Sequence, residues 1–195
     1  IAELYDSRDE LAVMNRKVIS AIEFFDTYTD KEKDILGKYS SNLFTLSTFY
    51  NANKRILKGS SINEPVEDFL REYWELVATH ILPWKELFNR EVSKIDLREN
   101  YIITQSVLIQ VFGRLGNYFY THSGVEMRSC LSKLEQVDWR RSSPNWKHRT
   151  IRENGRMINN EKAILLTCNV LKNILGIPLD EGEREKENEF INRVR

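Results

Sequence analysis

Apolar residues recur at helical spacing along nearly the whole chain, and little interrupts them. Leu11, Met14, Val18 and Ile22 fall at i, i+3, i+7 and i+11, the stripe that one face of an α-helix buries. The pattern returns around Leu43, Leu46 and Phe49, around Phe69, Tyr73 and Val77, and along Ile103, Val107, Val111 and Leu115. Only eight glycines and four prolines punctuate 195 residues, few for a β protein, whose tight turns depend on them. The sequence therefore predicts an all-α fold. It reads as a single helical domain over 1–195, a compact multi-helix arrangement with one ordered irregular segment near 138–159.

Local signals place the joints. Thr29-Asp30-Lys31-Glu32 reads as a capping box, predicting a short helix through Leu36 with Gly37 as its stop. Gly59 closes the helix that follows. Ser61 to Pro65 turns into another, with proline tolerated in its first turn, and Pro83 starts a second helix or a kink. Asp96-Leu97-Arg98-Glu99 is a further cap, opening the longest predicted helix, Leu97 to Tyr120. Gly113 and Gly116 within it each cost about 1 kcal/mol relative to alanine, which points to close helix packing at both. A short helix is expected over 126–136, another over 160–175 ended by Gly176 and Pro178, and a last one capped by Asp180 to Glu183. In that last helix EREKENEF reads as a solvated face of alternating charge. No pair of strands is expected.

Composition narrows the function classes. A hydrophobic fraction of 41% and a charged fraction of 30% describe a globular chain with many charges left for water. No run of about 18 apolar residues exists to cross a membrane. The opening IAELYDSRDE has neither the basic nor the apolar region of a signal peptide, and it begins without methionine in helix-like sequence, as a fragment of a longer chain would. Cys130 and Cys168 each sit in an amphipathic helix and are expected as buried free thiols in a reducing compartment. His80, His122 and His148 are isolated, in no metal-binding spacing. No phosphate-cradling glycine loop or nucleophile elbow occurs. The expectation is a protein without metal or cofactor, and not an enzyme.

One stretch breaks the pattern. Residues 137–149, VDWRRSSPNWKHR, hold two of the four tryptophans. From Asp138 to Arg156 six strong cations (Arg140, Arg141, Lys147, Arg149, Arg152 and Arg156) face two acids, Asp138 and Glu153, a local +4 in a chain of zero net charge. An anionic partner feels this local field rather than the total. Guanidinium groups match phosphate geometry, and tryptophan faces stack on bases or on arginine. The same residues also fit a structural role. Trp139 and Trp146 then act as anchors burying a non-helical connection, Asp138 pairs with an arginine, and Ser142 or Ser143 caps the turn before Pro144. A second constellation, Gln110, Arg114 and Asn117, forms a polar strip on the long apolar helix. It reads as a network satisfying neighbouring backbone, or as an anion site shared with the 138–156 segment.

Several blocks together carry a resemblance: LYDSRDELAVMNRKV (4–18), LFTLSTFYNANKRIL (43–57), VFGRLGNYF (111–119), VDWRRSSPNWKHR (137–149) and LLTCNVLKNILGIPL (165–179). In this order they resemble the C-terminal part of the DndB family of DNA sulfur-modification (phosphorothioation) regulators. Members of that family carry an Asp-Gly-Gln-His-Arg motif in an N-terminal part, which this sequence lacks. The resemblance implies a bacterial, cytoplasmic DNA-binding repressor of its own modification genes, with promoter duplex DNA as partner and no membrane. Under it, Arg140, Arg141, Lys147, Arg149, Arg152 and Arg156 are the candidates for phosphate contacts, with Arg114 and Asn117 behind them. The rival reading is a dimerisation or docking module, giving a homo-oligomer, in which Phe24, Phe25, Trp74 and Trp84 partly line an interface. A nuclease-like activity completed by a further domain is the third.

Overall fold

The computed structural model describes residues 9–194; residues 4–8 of the first family-like block lie outside that range. Among the described residues there are ten α-helices. The apolar stripe near the start becomes α1 (Glu10–Ala21), capped by Asp9, whose carboxylate accepts from Ala12 N. It is followed by α2 (Glu23–Tyr28). Then come α3 (Leu46–Leu57), α4 (Glu64–His80) and α5 (Leu82–Phe88), the last with Pro83 in its first turn, where its fixed φ is tolerated. α6 (Lys94–Asn100), α7 (Ser106–Thr121) and α8 (Met127–Ser132) lead into a 3-10 turn at Lys133–Gln136. After the irregular segment come α9 (Glu161–Leu175) and α10 (Glu181–Val194).

Helix α7 is the central post. Its stripe is apolar on more than one side, and it packs against α3 on one flank and α9 on another. Its two glycines let α3 and α4 approach. A Cβ on Gly113 would lie 2.9 Å from the Ala52 carbonyl oxygen, and one on Gly116 would lie 2.8 Å from the Tyr73 ring, both closer than side chains tolerate. Tyr73 uses the space to donate its hydroxyl to the Phe112 carbonyl at 2.5 Å.

Phe24, Phe25, Trp74 and Trp84 are not interface residues. All four lie in the core, at 0–8% exposure. They form an aromatic cluster with Phe44 and Phe49 in which Phe24 stacks on Trp84 and most other pairs meet edge-to-face, as do Phe49 and Trp74 at 5.2 Å and 87°. Aromatic rings favour the edge-to-face geometry because the positive ring edge meets a negative face. Cys130 and Cys168 are buried free thiols, and burial pushes Cys168 up to about 12.

The sequence misleads in three places. Residues 31–36 are not a helix. Thr29–Asp30 instead forms a two-residue parallel strand pair with Phe44–Thr45, and the Asp30 carboxylate caps a turn by accepting from Glu32 N and Lys33 N. A helix there would have had little to bury, since Ile35 stands 85% exposed. The long helix expected over 97–120 is broken after Asn100. Its first piece is capped by Ser93 rather than Asp96, with Asp96 N donating to the seryl oxygen. The break exists because another segment takes the backbone groups of residues 100–102. EREKENEF is also not wholly solvated, since Glu183 and Phe190 are buried.

Candidate nucleic-acid interface

The segment that interrupts the long helix is the basic one. Ile102 N donates to the Trp139 carbonyl at 3.0 Å, and Arg141 N donates to the Asn100 carbonyl at 2.8 Å. Between them Tyr101 and Arg140 form an antiparallel bridge. Backbone groups freed by a broken helix need partners, and the DWRR stretch supplies two of them.

Two tryptophans hold this segment down. Trp139 and Trp146 are 2% and 0% exposed, and their rings stack at 5.8 Å and 9°. Trp139 meets Phe112 of α7 at 5.9 Å. The Trp146 indole donates to the Asp138 carbonyl at 2.9 Å. Asp138 does not pair with a guanidinium. Its carboxylate accepts from Arg140 N at 3.1 Å, a local turn that its short side chain reaches more easily. Neither serine side chain caps the turn at Pro144–Trp146; Ser143 contributes its backbone, accepting from Trp146 N. Thr150 N and Ile151 N also converge on the Trp146 carbonyl, and Ile158 N returns to the Thr150 carbonyl. The connection is irregular yet closed on itself.

The structure divides the candidate cations into two groups. Arg140, Arg152 and Arg156 are exposed, and among the described residues their guanidinium groups have no hydrogen-bond or ion-pair partner. Lys147 is exposed too, with only Glu153 near it at 3.4 Å, a solvated pair of small worth. Arg141 belongs to the footing. It is half-buried and donates to the Arg98 carbonyl at 3.2 Å near the end of α6, and burial lowers its pKa.

Arg149 and Arg114 turn inward to α10. Arg149 makes a two-pronged contact with Glu187, Nη1 to Oε2 at 2.9 Å, and lies over the Phe190 ring at 4.2 Å. Arg114 donates to Glu183 at 3.0 Å. Lys172 Nζ donates to both oxygens of the same carboxylate, at 2.7 and 2.8 Å. Asn169 links the two acids, donating to the Glu183 carbonyl and the Glu187 carboxylate. Burial opposes ionisation of both glutamates. For Glu183, Lys172, the Asp180 N–H and Arg114 outweigh it and hold the carboxyl below its ordinary range. Arg149 and Asn169 do the same for Glu187.

The rest of the polar strip fastens helices. Gln110 donates to the Thr48 carbonyl and accepts from Arg55. Asn117 donates to the Ile56 carbonyl at 2.7 Å. Gln110 and Asn117 thus satisfy neighbouring backbone. Among the described residues the strip reaches the basic segment through Arg114, along Glu183, Asn169, Glu187 and Arg149. Sequence reasoning missed Glu183, Glu187, Asn169 and Lys172. A signal was present: Glu183, Glu187 and Phe190 stand at i, i+4 and i+7, the spacing of one helix face with carboxylates in two of its places.

Among the described residues no group of three or more His, Cys, Asp or Glu is arranged to hold a metal ion. No helix there is long and apolar enough to cross a membrane. What these elements define is an all-α domain presenting a basic, non-helical segment on a rigid footing. The chain belongs to the DndB family, DNA-sulfur modification-associated, whose model matches residues 1–178. Neither the curated proteins nor the solved structures compared with the chain gave a match.

Proposed function

We propose that this chain is the helical domain of a transcriptional repressor of DNA sulfur-modification genes, and that it holds promoter duplex DNA by its phosphates. The observation that carries the reading is the set of exposed, unpartnered guanidinium groups of Arg140, Arg152 and Arg156 on a segment pinned by two buried tryptophans. Cations held on a fixed footing lose less conformational freedom on meeting phosphate than cations on a loose loop. Lys147 joins them as a point charge, whereas Arg141 and Asn117 serve the footing and the helix pair. Such contacts position DNA without reading its sequence, and the role is binding rather than catalysis in a bacterial cytoplasm.

Replacing Arg140, Arg152 and Arg156 together by alanine is expected to flatten the log–log salt dependence of DNA binding by nearly three units, about 0.9 for each phosphate that is no longer neutralised. An unchanged slope and affinity would refute the assignment. A docking role has its own support in the exposed Ile35 and Tyr39, at 85% and 89%, on a loop tied to α6 by Lys94 and Arg98. Light scattering that gives a dimer, together with no DNA binding, would favour it.

A further inference from the structure

Helix α10 meets the domain in an unusual way. Its inward stripe presents Glu183 and Glu187, one turn apart, where a core-facing helix ordinarily carries aliphatic side chains. Beneath them lie three cations from three different elements: Arg114 of α7, Lys172 of α9 and Arg149 of the basic segment. Phe190 is its one buried apolar side chain.

We infer that α10 is an acidic strap lying in an anion-binding trough, and that the phosphate backbone of DNA takes the same trough when the strap lifts. This rests on the DNA-binding reading above and gives that surface a covered half. Three further observations carry it. The cationic lining continues at both ends of the helix. A cavity of about 360 Å³ beside Asp180 and Glu183 has Arg55 and Lys58 in its wall, and one of about 530 Å³ beside Phe190 and Val194 has Arg149 and Lys162. The trough therefore continues beyond the three cations that the helix covers. Second, Arg114, Arg149 and Lys172 all lie within the family-matched residues 1–178, whereas α10 lies beyond them. Third, the attachment is of a kind that yields. Buried ion pairs return little more than the desolvation they require, so a helix held mainly by them leaves more readily than one held by a full apolar face. A phosphodiester chain offers the three cations the same partners in exchange, oxygen anions that accept from guanidinium and ammonium groups.

The test is made on the full chain. Glu183→Gln with Glu187→Gln keeps side-chain shape, and glutamine still serves the capping box with Asp180. DNA affinity is expected to rise at least about tenfold, because the three cations no longer have to exchange carboxylates for phosphates. Glu181→Gln with Glu185→Gln makes the same charge change on the solvent face and is expected to shift affinity by less than about threefold. Hydrogen exchange of the unaltered chain supplies a measurement that no variant can confound: on adding duplex DNA, amides of 183–193 lose protection while those of α7 keep theirs. Equal gains from the two pairs, or undiminished protection of α10 on DNA, would overturn the strap and leave DNA binding standing. Absence of DNA binding in the unaltered chain and in both variants would overturn the DNA reading and the strap with it.

Discussion

The irregular segment 137–159 and helix α10 both lie against the α3–α7–α9 framework, and they are attached by different forces. The segment looks like a loop and is fixed like a core. Trp139 and Trp146 are buried and stacked on each other, with Trp139 seated on Phe112, and the segment's backbone closes the break between α6 and α7. Helix α10 has regular structure and is fixed like a surface contact. Its ties are the carboxylates of Glu183 and Glu187, with Phe190 the one buried apolar side chain. Regularity thus says little about permanence here. Apolar burial is non-directional and carries no charge for salt to screen or protons to titrate, whereas charge pairing answers to both.

The largest effect separating the two is expected at Trp146. Trp146→Ala removes a fully buried indole, deprives Trp139 of its stacking partner and leaves the Asp138 carbonyl without its donor. A loss of about 3–5 kcal/mol is expected, the range for large aromatics in cores, read as a lowered urea midpoint. Loss of less than about 1 kcal/mol would mean that the segment is not anchored as described.

A smaller and more local effect is expected from acid. Glu183 and Glu187 have lowered pKa values in the folded chain. Carboxylates of this kind stabilise fully above the unfolded value, about 4.3 for glutamate, and the contribution fades as pH falls through the lower folded values. Below about pH 4, then, α10 is expected to loosen while the segment stays in place. NMR follows both: amide signals of 183–190 move toward unfolded positions, and the Trp139 and Trp146 indole signals do not. Simultaneous loss of both sets would erase the distinction between the attachments.

The two regions also differ in how far they can be read from the chain. Helical periodicity places most of the helices, because a 3.6-residue stripe needs only the nearby residues to be recognised. The glycines of α7 are likewise legible as points of close approach. The break at residues 101–105 is not, since the apolar pattern runs straight through it and its cause, the DWRR backbone, lies some forty positions away. The tryptophans point to an anchored segment, but nothing local tells Arg149, which turns inward, from Arg140, which does not. That division depends on α10, whose inward carboxylates read as solvent-facing charge while Lys172 stays out of view.

Arg140 gives the finest test of the division. It lies next to the tryptophan anchor in sequence, yet its guanidinium has no partner among the described residues. Arg140→Ala is therefore expected to change folding stability by less than about 0.5 kcal/mol, as surface substitutions away from a cap or network do. Arg149→Ala leaves Glu187 half-buried with its charge partner gone and uncovers Phe190, so its cost should exceed that margin clearly. On DNA, by contrast, losing Arg140 is expected to flatten the salt slope by about one unit. If the two substitutions cost equal stability, Arg140 is as much a part of the footing as Arg149, and the outward group of cations shrinks to Arg152, Arg156 and Lys147.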